Sequence, residues 1–379
     1  MISAPAVLIA CDKFKGTLTA AQACAAVAAG IRRIWPAAGI TTRPMADGGD
    51  GTARVICEAC SGQWLTETVT GPLGDKVKAG WAWLNSEKTA VLEMSEASGL
   101  RLVPPERRNP WRATTIGTGE LMKAAIRKGA EKIVVGIGGS ATNDGGAGMA
   151  WALGYRFLNT AGAELEPQPA NLESVAKIVP PQDFRMPEIV AACDVTNPLL
   201  GPHGATAVYG PQKGVRLERI PAFESALAHF ADIVRRDLGM DPTETPGAGA
   251  AGGLGFGLLT FARARMEPGF DLVARITGLE SAVRAADLVI TGEGSVDHQT
   301  LNGKGPAGVA GMALRMGKPA VAVGGLVDES AINGLNAVFH AVIAAARRDN
   351  IEEAIKSPSR FVEEAVAAAG AQLSELLVA

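Results

Sequence analysis

Five times along this 379-residue chain a short apolar run empties into a polar loop of small residues: AVLIA into CDKFKGT, ITTRPM into ADGGDGT, KIVVGI into GGSATNDGG, EIVAA into CDVTNP, and ADLVI into TGEGSVD. Apolar runs of that length between chain breakers read as buried strands, and most of these loops open into a helical pattern. Repeated strand-loop-helix units imply parallel strands with right-handed crossovers. They also put the loops at the carboxyl edge of a sheet, where open α/β folds bind their ligands.

The two ends of the chain carry this rhythm most clearly. AVLIAC is a strand, and TAAQACAAVAAGIRRI is a helix with Cys24, Val27, Ile31 and Ile34 on one face, opened by a Thr19–Gln22 capping box. ITTRPMA is a second strand and TARVICEAC a second helix, ending near Gly62. Near the far end, GPAGVAGMALRMG is a helix bounded by Pro306 and Gly317, followed by the strands PAVAVGG and AVFHAVIAA and the terminal helix SRFVEEAVAAAGAQLSELL. Between the ends, TETVTGPLGDKVKAGWAWLNSEKTAVLEMS alternates with Val77, Ala79, Trp81 and Trp83 two apart, which predicts an antiparallel meander. The expectation is a two-domain α/β protein. A flavodoxin-like, Rossmann-like parallel-sheet domain is built from residues 1–66 and 271–379, and an inserted mixed α/β domain covers 67–270.

Composition narrows the partners. The net charge of −3, from 36 basic and 39 acidic residues of scattered sign, gives no footprint for nucleic acid or for an anionic membrane. Five cysteines without regular spacing oppose a disulfide framework and fit a reducing compartment. With no signal-peptide pattern and no apolar run long enough to span a bilayer, the sequence predicts a cytoplasmic protein, monomer or homodimer, acting on a small molecule.

The stretch GIGGSATNDGGAG, feeding the helical GMAWALG, is the strongest candidate for a phosphate cradle: bare backbone lets N–H groups approach an anion, and a helix amino end favours negative charge. The same glycines also suit tight turns and close helix packing. Asp12, Asp47, Asp50, Asp144, Asp194, Glu293 and Asp297 all fall in or beside the polar loops, as phosphoryl transfer requires if carboxylates are to hold Mg²⁺ and accept the proton of an attacking hydroxyl. Lys13, Lys15, Lys213 and Lys304 sit in similar loops and can neutralise phosphate or carboxylate. Other signals fail. No Walker loop is present, GAGAAG at Gly247–Gly252 follows no strand, and Cys57 and Cys60 form a single CxxC suited to core packing. Two alternatives stay open, an NAD(P)-linked oxidoreductase of a small hydroxy acid, for which GIGGSA is the better fingerprint, and a non-catalytic anion-binding module.

Taken together and in order, CDKFKGTLTA, RPMADGGDGT, TGPLG, EMSEASGL, TTIGTGEL, GIGGSATNDGGAGM, CDVTNPLLGPHGA, YGPQKG, GAGAAGGLG and ITGEGSVDHQT with GKGPAGVA resemble the bacterial class I glycerate kinase family over nearly the whole chain. The resemblance implies ATP-dependent phosphorylation of D-glycerate, with 2-phosphoglycerate as the expected product, and two α/β domains. The individual roles rest on chemistry rather than on the resemblance: the backbone of Gly138, Gly139, Ser140 and Thr142 is expected on the ATP phosphates, with Asn143 and Asp144 fixing the loop or the metal. Lys15 is expected on the substrate carboxylate, beside Asp12, and Asp47, Gly48 and Gly49 on the hydroxyls. Asp194 is the expected base, and Asp194, Glu293 and Asp297 are expected at Mg²⁺. The family pattern departs here at Lys13 and Thr17, where serine is expected in one or both places, and at Ser295, where relatives often carry a cation.

Overall fold

The computed structural model describes residues 4–46, 48–182, 185–302 and 305–377. In chain order its strands are β1 (Ala6–Cys11), β2 (Gly39–Thr42), β3 (Gln63–Thr70), β4 (Lys76–Leu84), β5 (Thr89–Glu93), β6 (Lys132–Gly136) and β7 (Arg156–Leu158). They continue with β8 (Lys177–Val179), β9 (Glu188–Ala192), β10 (Arg265–Glu267), β11 (Leu288–Val296), β12 (Ala320–Val327) and β13 (Ala341–Ala344). Contacts divide the chain into two compact units, Met1–Asp47 with Phe270–Ala379, and Gly48–Gly269.

The terminal unit is a five-stranded, wholly parallel sheet in the order β13-β12-β11-β1-β2. Its central strands are covered on both faces, which is why they read as unbroken apolar runs. Val7, Ile9 and Cys11 join the core made with Cys24, Val27 and Ile31 of the helix Ala20–Ile34 and with Val362 and Val366. Leu8 and Ala10, pointing the other way, are equally buried, on the side where the helices Leu279–Ala285 and Pro306–Arg315 pack. The Thr19–Gln22 capping box forms in both directions. The terminal helix breaks at Ala369 into Pro358–Ala368 and Gly370–Glu375.

The middle unit holds a six-stranded mixed sheet in the order β10-β9-β6-β5-β4-β3, parallel from β10 to β5 and antiparallel through β4 and β3. The meander anticipated from the alternation is therefore only its outer part. Trp81, Phe157, Phe230 and Phe261 anchor the core, each side chain worth about 2–3 kcal/mol when fully buried. The helix Thr52–Ala59 packs on β4 and β5, so it belongs to this unit and the division falls at residue 47, not near 66. The helix buries Cys57, and Cys60 just past its end is half-buried. No helix among the described residues is long and apolar enough to cross a membrane.

Candidate functional site

Register aligns the carboxyl edge of the middle sheet. Glu93 ends β5 opposite Gly136, Gly136 ends β6 opposite Ala192, and Ala192 ends β9 opposite Glu267. Across these strand ends runs the segment 48–51, close enough that a Cβ on Gly136 would lie 3.0 Å from the Gly48 carbonyl and one on Gly138 3.0 Å from the Gly49 Cα. Glu93 pins the segment: its carboxylate accepts the N–H of Gly51 at 2.9 Å and of Ala53 at 2.7 Å, at the start of the helix Thr52–Ala59. Burial raises the Glu93 pKa against the pull of those two donors. Sequence reasoning missed Glu93, although an acid closing a wholly apolar strand was a visible signal.

Two residues beyond the β9 end, Asp194 is half-buried and its Oδ1 accepts the Gly269 N–H at 2.9 Å. Beyond β6 the loop passes through Gly138, half-buried, and Gly139, exposed with φ +72°. Ser140 is only 7% exposed, and from Ala141 to Ala150 the chain is buried throughout.

That burial bears on the expected roles of the loop. Asp144 is fully buried, and its carboxylate accepts the N–H of Gly146 at 3.1 Å, of Gly148 at 3.1 Å and of Thr115 at 2.8 Å, with the Thr115 hydroxyl at 2.8 Å. The amino end of the helix Ala147–Ala152 thus already holds an anion, the chain's own. Thr142 and Asn143 also turn inward, Asn143 Nδ2 donating to the Thr206 hydroxyl at 2.9 Å. Asn143 and Asp144 thus fix the loop, one of the two roles expected of them. The exposed arc is Gly138–Gly139.

Lys213, expected at a ligand, is 1% exposed, and its Nζ donates to the Thr142 carbonyl at 2.7 Å from beneath the loop. Burial pulls its pKa down to about 7, opposed by the nearby charge of Asp144, whose own pKa burial pushes up. Both shifts run toward the neutral forms, because desolvation outweighs the charge of Asp144 at Lys213 and the hydrogen bonds of Thr115, Gly146 and Gly148 at Asp144. GAGAAG lies at the head of the helix Ala250–Phe261, where Ala251, Gly252 and Gly253 have positive φ. A Cβ on Gly252 would stand 1.9 Å from the Thr142 carbonyl, and one on Gly257 2.7 Å from the Gly146 Cα. This second glycine run is the bed on which the first one lies.

The terminal unit presents its own carboxyl edge. Cys11 ends β1 level with Gly292 of β11, but β11 does not stop where the sequence predicts the TGEGSVD loop: it runs on to Val296 paired with β12, and the Asp12 N–H donates to the Gly292 carbonyl at 2.8 Å. Asp12 is half-buried and Lys15 exposed on the loop after β1, which packs so tightly on β11 that a Cβ on Gly294 would meet the Lys15 nitrogen at 3.0 Å. Thr300 ties the second loop together, donating its hydroxyl to Glu293 at 2.8 Å and accepting the Asp297 N–H at 3.0 Å. Asp297 also accepts the Ser295 hydroxyl at 3.3 Å. The structure so brings Asp12, Lys15, Glu293 and Asp297 to one edge of one unit, and Gly48, Gly49, Gly138, Gly139 and Asp194 to one edge of the other. Asp47 and Lys304 lie outside the described residues. Among the described residues, no three His, Cys, Asp or Glu side chains converge as a metal shell. The hard carboxylate oxygens of Glu293 and Asp297 nevertheless suit Mg²⁺, which keeps several waters and shares its shell with substrate phosphates.

Glycine loops and acids at the carboxyl ends of parallel strands, in one parallel and one mixed sheet, suit an α/β phosphotransferase. The chain belongs to the glycerate kinase family, whose model matches residues 7–374. It is 44% identical over 364 residues to the glycerate kinase of Bacillus subtilis, covering 94% of each chain. It is 41% identical over 350 residues to the glycerate 2-kinase of Escherichia coli K12, covering 90% of this chain and 92% of that one. A crystal structure described as a glycerate kinase 2 from Salmonella typhimurium LT2 superposes with a TM-score of 0.88 at 41% identity, covering 98% and 99% of the two chains.

Proposed function

We propose that the protein transfers the γ-phosphoryl group of ATP to D-glycerate at the 2-hydroxyl, giving 2-phospho-D-glycerate and ADP in the cytoplasm. The observation that carries this reading is the family match over residues 7–374; the choice of the 2-hydroxyl draws on the likeness to the Escherichia coli glycerate 2-kinase.

In this reading the backbone of Gly138, Gly139 and Ser140 cradles the ATP phosphates, whose approach needs bare N–H groups. Lys15, exposed on its loop, pairs with the glycerate carboxylate, and Asp12 beside it limits which way that carboxylate turns. Gly48 and Gly49, held over the strand ends, orient the hydroxyls, and Asp47 is assigned to the same role. Asp194, with one oxygen fixed by Gly269, accepts the proton of the attacking hydroxyl. Glu293 and Asp297 hold Mg²⁺, which when bound offsets the charge of the phosphates.

The test incubates the protein with Mg-ATP and D-glycerate, follows ADP release, and feeds the product to enolase with no mutase present. Turnover that enolase consumes supports the 2-hydroxyl, ADP release that it cannot use points to the 3-hydroxyl, and no ADP overturns the reading. Asp194→Asn should lower kcat by at least a hundredfold with the fold intact. More than a tenth of wild-type kcat in that variant would remove Asp194 from the role of base.

A further inference from the structure

At the amino ends of β9 and β10, away from every loop assigned above, lies a cavity of about 710 Å³. That volume is within the range of small-molecule sites, roughly 300–1,000 Å³. Tyr155 and Phe261 meet there edge to face with centroids 4.9 Å apart, the Tyr155 hydroxyl tied to the Phe261 carbonyl at 3.2 Å, so the aromatic wall is fixed. Arg185, Arg263 and Arg265 line the same space. Arg265 is neutralised by Glu267 and Glu188. Among the described residues, Arg185 and Arg263 pair with no carboxylate, and both are exposed.

Arg263 also stands where its backbone is unfavourable. It closes the helix Ala250–Phe261 at φ +50°, in the left-handed region that normally selects glycine after a helix. Elsewhere the chain does use glycine in that way, at Gly129 after Ile116–Arg127 and at Gly239 after Ile220–Leu238. An arginine kept in this conformation places a guanidinium on the cavity at the cost of local strain. Two unpaired guanidinium groups match a phosphate dianion, and the fixed aromatic wall with Pro181 and Met186 matches an organic body.

We propose that this cavity binds a small organic phosphate, a monoester carrying a ring or hydrocarbon group, at a site distinct from the catalytic loops. Six residues of extended chain separate Glu188 at its rim from Asp194, about 20 Å along β9 and its continuation. The site therefore does not depend on the assignments made under the proposed function.

Phenyl phosphate is the probe, titrated calorimetrically into the wild-type protein and into Arg185→Ala and Arg263→Gly variants. Arg263→Gly keeps the backbone conformation, removes the cation, and should raise Tm slightly, so loss of binding in it cannot come from unfolding. Each substitution should weaken binding at least tenfold while kcat and the KM for ATP stay unchanged, and inorganic phosphate should bind wild type at least tenfold more weakly than phenyl phosphate. No binding to wild type, or equal binding by wild type and both variants, overturns the site. Equal affinity for inorganic and phenyl phosphate overturns the assignment of an organic ligand.

Discussion

The loop after β6 and the last residues of β11 with those just beyond are made from the same materials, glycine, a hydroxyl side chain and an acid, and fold to opposite ends. After β6, Asp144 turns into the core and satisfies a helix amino end, while Lys213 and the glycines of 252–257 press on the loop from behind. At the end of β11 and just past it, Glu293 and Asp297 stay half-buried and are steadied through Thr300. An acid in a glycine loop can thus be scaffold or reagent, and what decides is whether backbone donors or solvent await it.

If that contrast holds, substitutions should split cleanly between stability and turnover. The largest effect should come from Gly252→Ala, which drives a Cβ into the Thr142 carbonyl at 1.9 Å and adds a side chain at φ +69°. A loss of roughly 4 kcal/mol, read by urea denaturation, follows from overpacking and left-handed strain together. A loss below about 1 kcal/mol would mean that the two glycine runs are not pressed together. Next comes Glu293→Gln, which preserves an acceptor for Thr300 but removes the charge. Here kcat should fall about a hundredfold, some 2.7 kcal/mol of barrier, while stability stays within about 0.5 kcal/mol of wild type. Unchanged turnover would end the contrast from the other side.

The smallest effect is a slope. The Lys213 pKa falls from 10.5 unfolded to about 7 folded. Between those values the unfolded chain binds the extra proton, so this residue's contribution to stability rises with pH from about 7 to about 10.5. Relative to Lys213→Met, wild type should gain at most about 1 kcal/mol per pH unit across that window. Parallel stability curves from pH 7 to 10 would show that the lysine is not buried as described.

The sequence reveals the strand-loop-helix rhythm and the helix limits because both are local: Thr19 with Gln22, Pro306 and Gly317 act within one turn of chain. It also reveals which loops matter, since an apolar strand must end somewhere wet. What it does not reveal is the direction each polar side chain takes. Asp144 lies in the loop after β6 and Glu293 in the last residues of β11, and only contacts from Thr115 and Gly252, far back or far along the chain, turn the first inward. The GAGAAG run illustrates the same gap, showing nothing locally of the loop it supports. Glu93 went unnoticed for the converse reason, its partners Gly51 and Ala53 lying some forty residues earlier.

The strand order of the terminal sheet bears on how the chain is made. β1 leaves the ribosome before the other strands of its sheet, and its neighbour β11 follows 281 residues later, the separation spanned by the Thr291 hydroxyl's bond to the Ala10 carbonyl at 2.7 Å. At roughly 5–20 residues per second, that interval is on the order of tens of seconds. During it the most apolar edge in the molecule has β2 on one side and nothing on the other, while the contiguous middle unit has all of its own strands to hand. Synthesis of this chain therefore favours the inserted unit folding first and exposes β1 to chaperones, or to a second nascent copy, for most of translation.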